Sequence, residues 1–173
     1  MRSTKGFSLI ELLIVVAIIL TIAAIAIPSL LQARISANES SAAGALHTLT
    51  SAEITYFNAY PTVGYPNTIG PLGGATPCTP SSTTACIIDN FLATATPGST
   101  GKSGYYFLAT GSVTGGTSYN DAYVIGAAPI SVNYSGNIDY CSANDGVLRS
   151  QMASVGDTPV NVMSTCLSYP VAQ

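Results

Sequence analysis

The sequence predicts an α+β fold: one long N-terminal α-helix, apolar along its first half and amphipathic along its second, packed on a small antiparallel β-sheet. Three observations lead there. From Phe7 to Ile27 the only polar residues are Ser8, Glu11 and Thr21, and about 20 apolar residues is what a helix needs to cross a bilayer. From Ser29 to Asn58 there is no proline and one glycine, Gly44, while Ala45, Leu49, Ala52 and Tyr56 recur at spacings of 4, 3 and 4. Those spacings mark one face of an amphipathic helix, its apolar stripe turned toward a domain. Beyond Gly104 come short runs of aromatic and β-branched residues parted by turn-rich connections, the pattern of strands.

The helix begins beside a short basic leader. Arg2 and Lys5 predict a cytoplasmic N-terminus, because positive charge is retained on that side of a membrane. Glu11 sits within the apolar run. A charge in a membrane-length helix is costly and marks a functional site by default. Pro28 lacks the N–H of one helical hydrogen bond and is expected to kink the helix or melt it locally. A helix continuous from Phe7 to about Asn58 would be about 75 Å long. A secretory signal peptide is the first alternative, and Ala24-Ile25-Ala26 offers an A-x-A cleavage pattern. The apolar stretch exceeds the usual core of about 7–15 residues, however, and Glu11 would fall inside it. A plain membrane anchor is the second, and it leaves Glu11 unpaired.

Pro61 to Gly104 reads as loop, punctuated by prolines and glycines, with Ile87–Ala93 as a short helical turn. Tyr105–Thr110 and Ala122–Ala128 read as strands, joined through the turn-rich Gly111–Asn120. Ile138–Cys141 and Val147–Arg149 flank Asn144-Asp145-Gly146 and are expected to form a hairpin. Three or four antiparallel strands should pack on the Ser29–Asn58 helix face.

Charged residues make up only 8 % of the 173, against about 25 % in ordinary soluble domains. Past Pro61 the chain is rich in Ser, Thr, Gly, Ala, Tyr and Asn, a surface solvated by hydroxyls and amides. Without residues 1–6, three basic side chains face eight acidic ones, a net charge of −5. No basic cluster for nucleic acid remains.

The four cysteines, Cys78, Cys86, Cys141 and Cys166, fit an oxidising compartment. They allow three connectivities. Cys78–Cys86 with Cys141–Cys166 is favoured, since neighbouring pairs close the shortest loops and act as local staples.

Candidates for chemistry are few. His47 has no Cys or carboxylate at ligand spacing and reads as a surface or interface residue; no metal site is expected. No nucleophile elbow, P-loop or zinc-protease pattern occurs, so no catalytic residue and no cofactor is predicted. Asp139, Asp145 and Asp157 have oxygens to offer calcium, but their spacing of 6 and 12 matches no loop motif, and turn-forming aspartates are the better reading. Asn38-Glu39-Ser40 and Asn133-Tyr134-Ser135 match a glycosylation sequon, a pattern short enough to arise by chance. The Ser81–Thr84 stretch reads as solvated loop, and Phe7, Tyr56, Phe57 and Tyr60 as packing aromatics.

The run KGFSLIELLIVVAIILTIAAIAIP resembles the N-terminal motif of type IV pilins and of the related pseudopilins of type II secretion. The resemblance spans about 30 residues. It implies a leader peptide of residues 1–6 that a prepilin peptidase/methyltransferase cuts after Gly6, methylating the new N-terminal Phe7. The family's assembly glutamate falls on Glu11 and its helix-kinking proline on Pro28. One position departs: many pilins carry glycine where this chain has Leu20. Residues 7–28 would then be the transmembrane and filament-core helix, and residues 29–173 the globular domain. GNIDYCSANDGVLR is more loosely similar to a closing hairpin seen in many of these proteins, and Cys141–Cys166 would close the C-terminal loop of such a fold.

The physics agrees with that implication. Cleavage turns the Gly6–Phe7 amide into a cationic amine about one helical turn from Glu11. In a bundle of such helices Glu11 of one subunit reaches the Phe7 amine of its neighbour, and breaking a buried ion pair costs about 3–5 kcal/mol. The resemblance implies a helical homo-oligomer built by pilus or secretion machinery, from a precursor held in the bacterial inner membrane with its domain periplasmic. The product would be an extracellular pilus, of the kind used in cell adhesion and motility. A pseudopilin is the nearest alternative. A secreted small-ligand or carbohydrate-binding domain behind a cleaved signal comes next, and an anchored enzyme last.

Overall fold

A computed structural model describes residues 6–172; Arg2 and Lys5, with most of the expected leader, lie outside the described residues. The chain forms two compact units, one ending at Arg34 and the other beginning at Ile35. Helix α1 (Leu9–Ala59) contributes to both.

In the first unit no described residue is buried. Leu and Ile side chains face outward on every side of the helix, from Leu9 at 81 % exposure to Leu30 at 71 %. Polar groups here turn back onto the backbone, as when the Thr21 hydroxyl donates to the Ile18 carbonyl at 2.8 Å. The helix continues through Pro28 without interruption. The proline's missing N–H leaves the Ala24 carbonyl without its usual donor four residues on.

The second unit holds the rest of α1, a 3-10 turn (Gly70–Leu72), α2 (Asn90–Ala93), strands β1 (Tyr105–Ser112), β2 (Ala122–Pro129), β3 (Ile138–Ala143) and β4 (Arg149–Met152), and α3 (Met163–Ser168). The sheet order is β1-β2-β3-β4 with every neighbour antiparallel. Tyr105 lies opposite Pro129, Ala127 opposite Tyr140, and Cys141 opposite Arg149. This is the α+β architecture expected from the sequence, with the sheet four strands wide.

The sheet is covered on both faces, which explains why all of β2 is buried. Ala42, Ala45, Leu46, Leu49, Ala52 and Tyr56 of α1 pack with Tyr123, Ile125 and Ala127 of β2 and Tyr140 of β3. On the other face Val124 and Cys141 meet Val160 and Cys166 of the C-terminal segment. Gly126 makes that crossing possible, because a Cβ there would collide with the Val160 backbone.

The strands run one to three residues further at their C-terminal ends than the sequence reading gave them, and two elements start later. The helical turn expected over Ile87–Ala93 is confined to Asn90–Ala93, started by the Asp89 carboxylate accepting from the Leu92 N–H at 2.8 Å, a side-chain N-cap. The last strand begins at Arg149 rather than Val147. Asp145 takes the Val147 N–H at 3.1 Å, and the Leu148 carbonyl accepts from Ala172, so that stretch pairs with its own turn and the C-terminus instead of with β3. Helix α3 was not foreseen, being six residues with no side-chain cap.

Candidate functional site

The N-terminal segment is built by one local device. Residues 6–8 are non-helical and α1 starts at Leu9, so Ser8 is its N-cap and Glu11 its third residue. The Glu11 carboxylate accepts from the Ser8 backbone N–H at 2.9 Å. A glutamate at this position satisfies a donor left free at the helix start, as in a capping box, and places negative charge at the positive end of the helix dipole. The S-x-x-E spacing was legible in the sequence, but Glu11 was expected as a costly membrane charge and an assembly group, and not as a cap. Gly6 and Phe7 stand just ahead of the cap. Phe7 is 92 % exposed, and no atom lies within 4 Å of where a Gly6 side chain would begin. Gly6 and Phe7 are thus exposed and lie ahead of the helix.

The four cysteines pair as Cys78–Cys86 and Cys141–Cys166. The first staples the loop after the 3-10 turn. The second ties β3 to α3, fastening the C-terminal segment over the sheet. The Ser29–Asn58 stretch is anchored by polar contacts as well. Asn137 donates its N–H to Glu39 at 2.8 Å, and the Asn38 amide donates to the Ser135 carbonyl at 2.9 Å. The Asn38 sequon is therefore part of a structural joint, whereas Asn133 and Tyr134 lie in an exposed turn.

The acidic residues separate into two kinds. Asp145 forms a two-pronged ion pair with Arg149, at 3.1 and 2.6 Å; the guanidinium holds its carboxyl below the usual range. Asp157 accepts from the Ser154 N–H at 2.6 Å. Both are turn residues, as the sequence suggested. Asp139 is not: it sits in β3, 3 % exposed. Burial, together with the neighbouring Asp157 carboxyl, pushes it up to about 7.

Glu53 is the larger departure, a fully buried acid on the apolar stripe of α1, pushed up to about 8 by desolvation. His47 is exposed on α1. Among the described residues no three His, Cys, Asp or Glu side chains are grouped to hold a metal. Aromatic pairs gather at the end of α1, with Phe57 stacked on Tyr65 at 4.7 Å between ring centres and Tyr65 against Tyr123 at the same distance.

Residues 1–27 match the family model for the prokaryotic N-terminal methylation motif. The chain is also similar to the type IV wide pilus major component PilA4 of Thermus thermophilus, 64 % identical over 39 residues. That match covers 22 % of this chain and 30 % of the relative, so it spans less than a third of the length of the curated protein it resembles. No solved structure matches. Motif and relative together support the type IV pilin and pseudopilin family, and the long helix with its antiparallel sheet matches the α+β fold of such proteins.

Proposed function

We propose, on the premise that the chain is of the type IV pilin and pseudopilin family, that it is the structural subunit of a type IV pilus-like surface filament. The observation that carries this is the first part of α1, apolar on all sides, without a buried residue, and bearing one carboxylate near its start. Such a helix has no polar face to show to water and is stable in lipid or against copies of itself.

The proposed sequence of events has three stages. The precursor is held in the inner membrane by residues 7–28, with the N-terminus cytoplasmic and residues 29–173 periplasmic. The prepilin peptidase then cuts the Gly6–Phe7 bond and methylates the Phe7 amine. In the precursor Glu11 is satisfied by the helix cap. After cleavage the amine of a neighbouring subunit's Phe7 is a stronger, charged partner, so pairing across subunits follows processing. Pro28 gives the helix a weak point where it bends as subunits pack. The domains form the outer surface, stapled by the two disulfides. The role is structural and uses no catalytic residue, metal or cofactor.

The curated relative is named as a component of a pilus, which favours the pilus over the pseudopilus. Mass mapping of the mature N-terminus and of sheared surface filaments tests the proposal. Methylated Phe7 in those filaments is the expected result. A mature chain beginning at Ile27 refutes the filament reading, and filaments confined to the periplasm favour the pseudopilin.

A further inference from the structure

The layer between α1 and the sheet is largely apolar; it holds the Thr50–Ser142 hydroxyl pair and one buried acid, Glu53. Glu53 is 0 % exposed. Four buried side-chain polar atoms lack a hydrogen-bond partner among the described residues. Three belong to this layer: both Glu53 carboxyl oxygens and the Tyr123 hydroxyl of β2. Around Glu53 lie Tyr56 on its own helix, Tyr65 on the following loop and Tyr123 on β2, each held from ionisation first by burial and further by the carboxyl's charge. Asp145 adds negative charge from the β3–β4 turn, acting on Tyr123. Arg149 and Lys102, the Lys and Arg residues described in the second unit, are paired with Asp145 and Asp89. Glu53 therefore faces tyrosines and apolar side chains with no cation to balance a charge.

An isolated carboxylate in such surroundings costs far more than a neutral carboxyl, and the group keeps its proton instead. We propose that Glu53 is a pH-sensitive lock in the joint between α1 and β2: the neutral carboxyl is the docked form, and loss of its proton to solvent loosens the helix from the sheet. The inference concerns the domain alone and holds whether or not the chain builds filaments.

The sign follows from linkage. The folded state keeps a proton that the unfolded chain releases from about pH 4.5 upward. The joint is therefore at full strength below that pH, weakens as pH rises toward 8, and levels off above it. Over that range the Glu53 contribution changes the unfolding constant about tenfold per pH unit.

The test is the unfolding equilibrium of the full chain in detergent micelles, followed by the near-ultraviolet signal of the buried tyrosines from pH 5.5 to 7.5. Glu53→Gln is compared with wild type. The expected result is that the slope of log K against pH falls by one proton in the variant, with any contribution from Asp139 left in place. An unchanged slope overturns the proposal. Should Glu53→Gln fail to fold, a carbon-13 carboxyl titration of folded wild type decides: a Glu53 midpoint above pH 7 supports the lock, and one below pH 6 overturns it.

Discussion

The two halves of α1 share one backbone conformation and obey opposite rules. Up to Arg34 no described residue is buried, and large apolar side chains point outward all round. From Ala42 onward the apolar residues collect on one stripe and are buried against the sheet, while His47, Thr48 and Ser51 face solvent. The second half is finished within one chain. The first leaves its apolar surface uncovered in the single chain, and the proposed function assigns that surface to a membrane or to other copies. Helical propensity does not separate them; the distribution of polar residues around the helix does.

The sharpest way to break this comparison is at Glu11. Under the proposed function, Glu11→Ala should reduce filament yield by more than tenfold, read by shearing and immunoblot. The unfolding of the domain should be unchanged, since Glu11 contacts only the helix start. Normal filament yield would remove Glu11 from assembly. Next comes a matched pair of truncations. Leu49→Ala opens the domain core and should cost about 2–5 kcal/mol in denaturant unfolding. Leu13→Ala, 61 % exposed in the single chain, should leave that transition within about 0.5 kcal/mol. Equal losses would mean that the first half of α1 is also part of the domain core.

The disulfides give a smaller graded effect. By loop-closure entropy, Cys141→Ser with Cys166→Ser should cost about 3.5 kcal/mol, and the shorter Cys78–Cys86 loop about 2.5 kcal/mol. Reversal of that order in thermal unfolding would place the larger constraint on the Cys78–Cys86 loop instead. Burial of Asp139, with the Asp157 carboxyl beside it, predicts a pH effect of known sign. Asp139 holds its proton up to about 7 and the unfolded chain releases it near 3.8, so stability falls across that window as pH rises. Asp139→Asn should flatten that part of the pH profile measured by thermal unfolding. Smallest of all, Lys102→Ala removes a surface ion pair at 3.3 Å and should cost less than about 1 kcal/mol in the same assay.

Much of this was legible before any coordinates. The apolar run, Glu11 and Pro28 are features of one segment, and strands of aromatic and β-branched residues announce themselves within five or six positions. Two signals were present and read incompletely. Ser8-x-x-Glu11 is a helix-cap spacing. Glu53 falls on the stripe between Leu49 and Tyr56, at steps of 4 and 3, where an acid on an apolar face was itself the clue.

What the sequence determined alone is everything that depends on neighbours along the chain: the helix, its change of character past Pro28, which the structure places at Arg34, and the main strands. Tertiary structure decided what depends on distant partners. Val147 and Leu148 leave the last strand because the turn and the C-terminus compete for their backbone groups. Asp139 and Asp157, eighteen positions apart, become a coupled acid pair only when the C-terminal segment folds over the sheet. Glu53 loses its water only when β2 closes on α1, because desolvation is a property of the packed layer and has no counterpart in a local stretch of sequence.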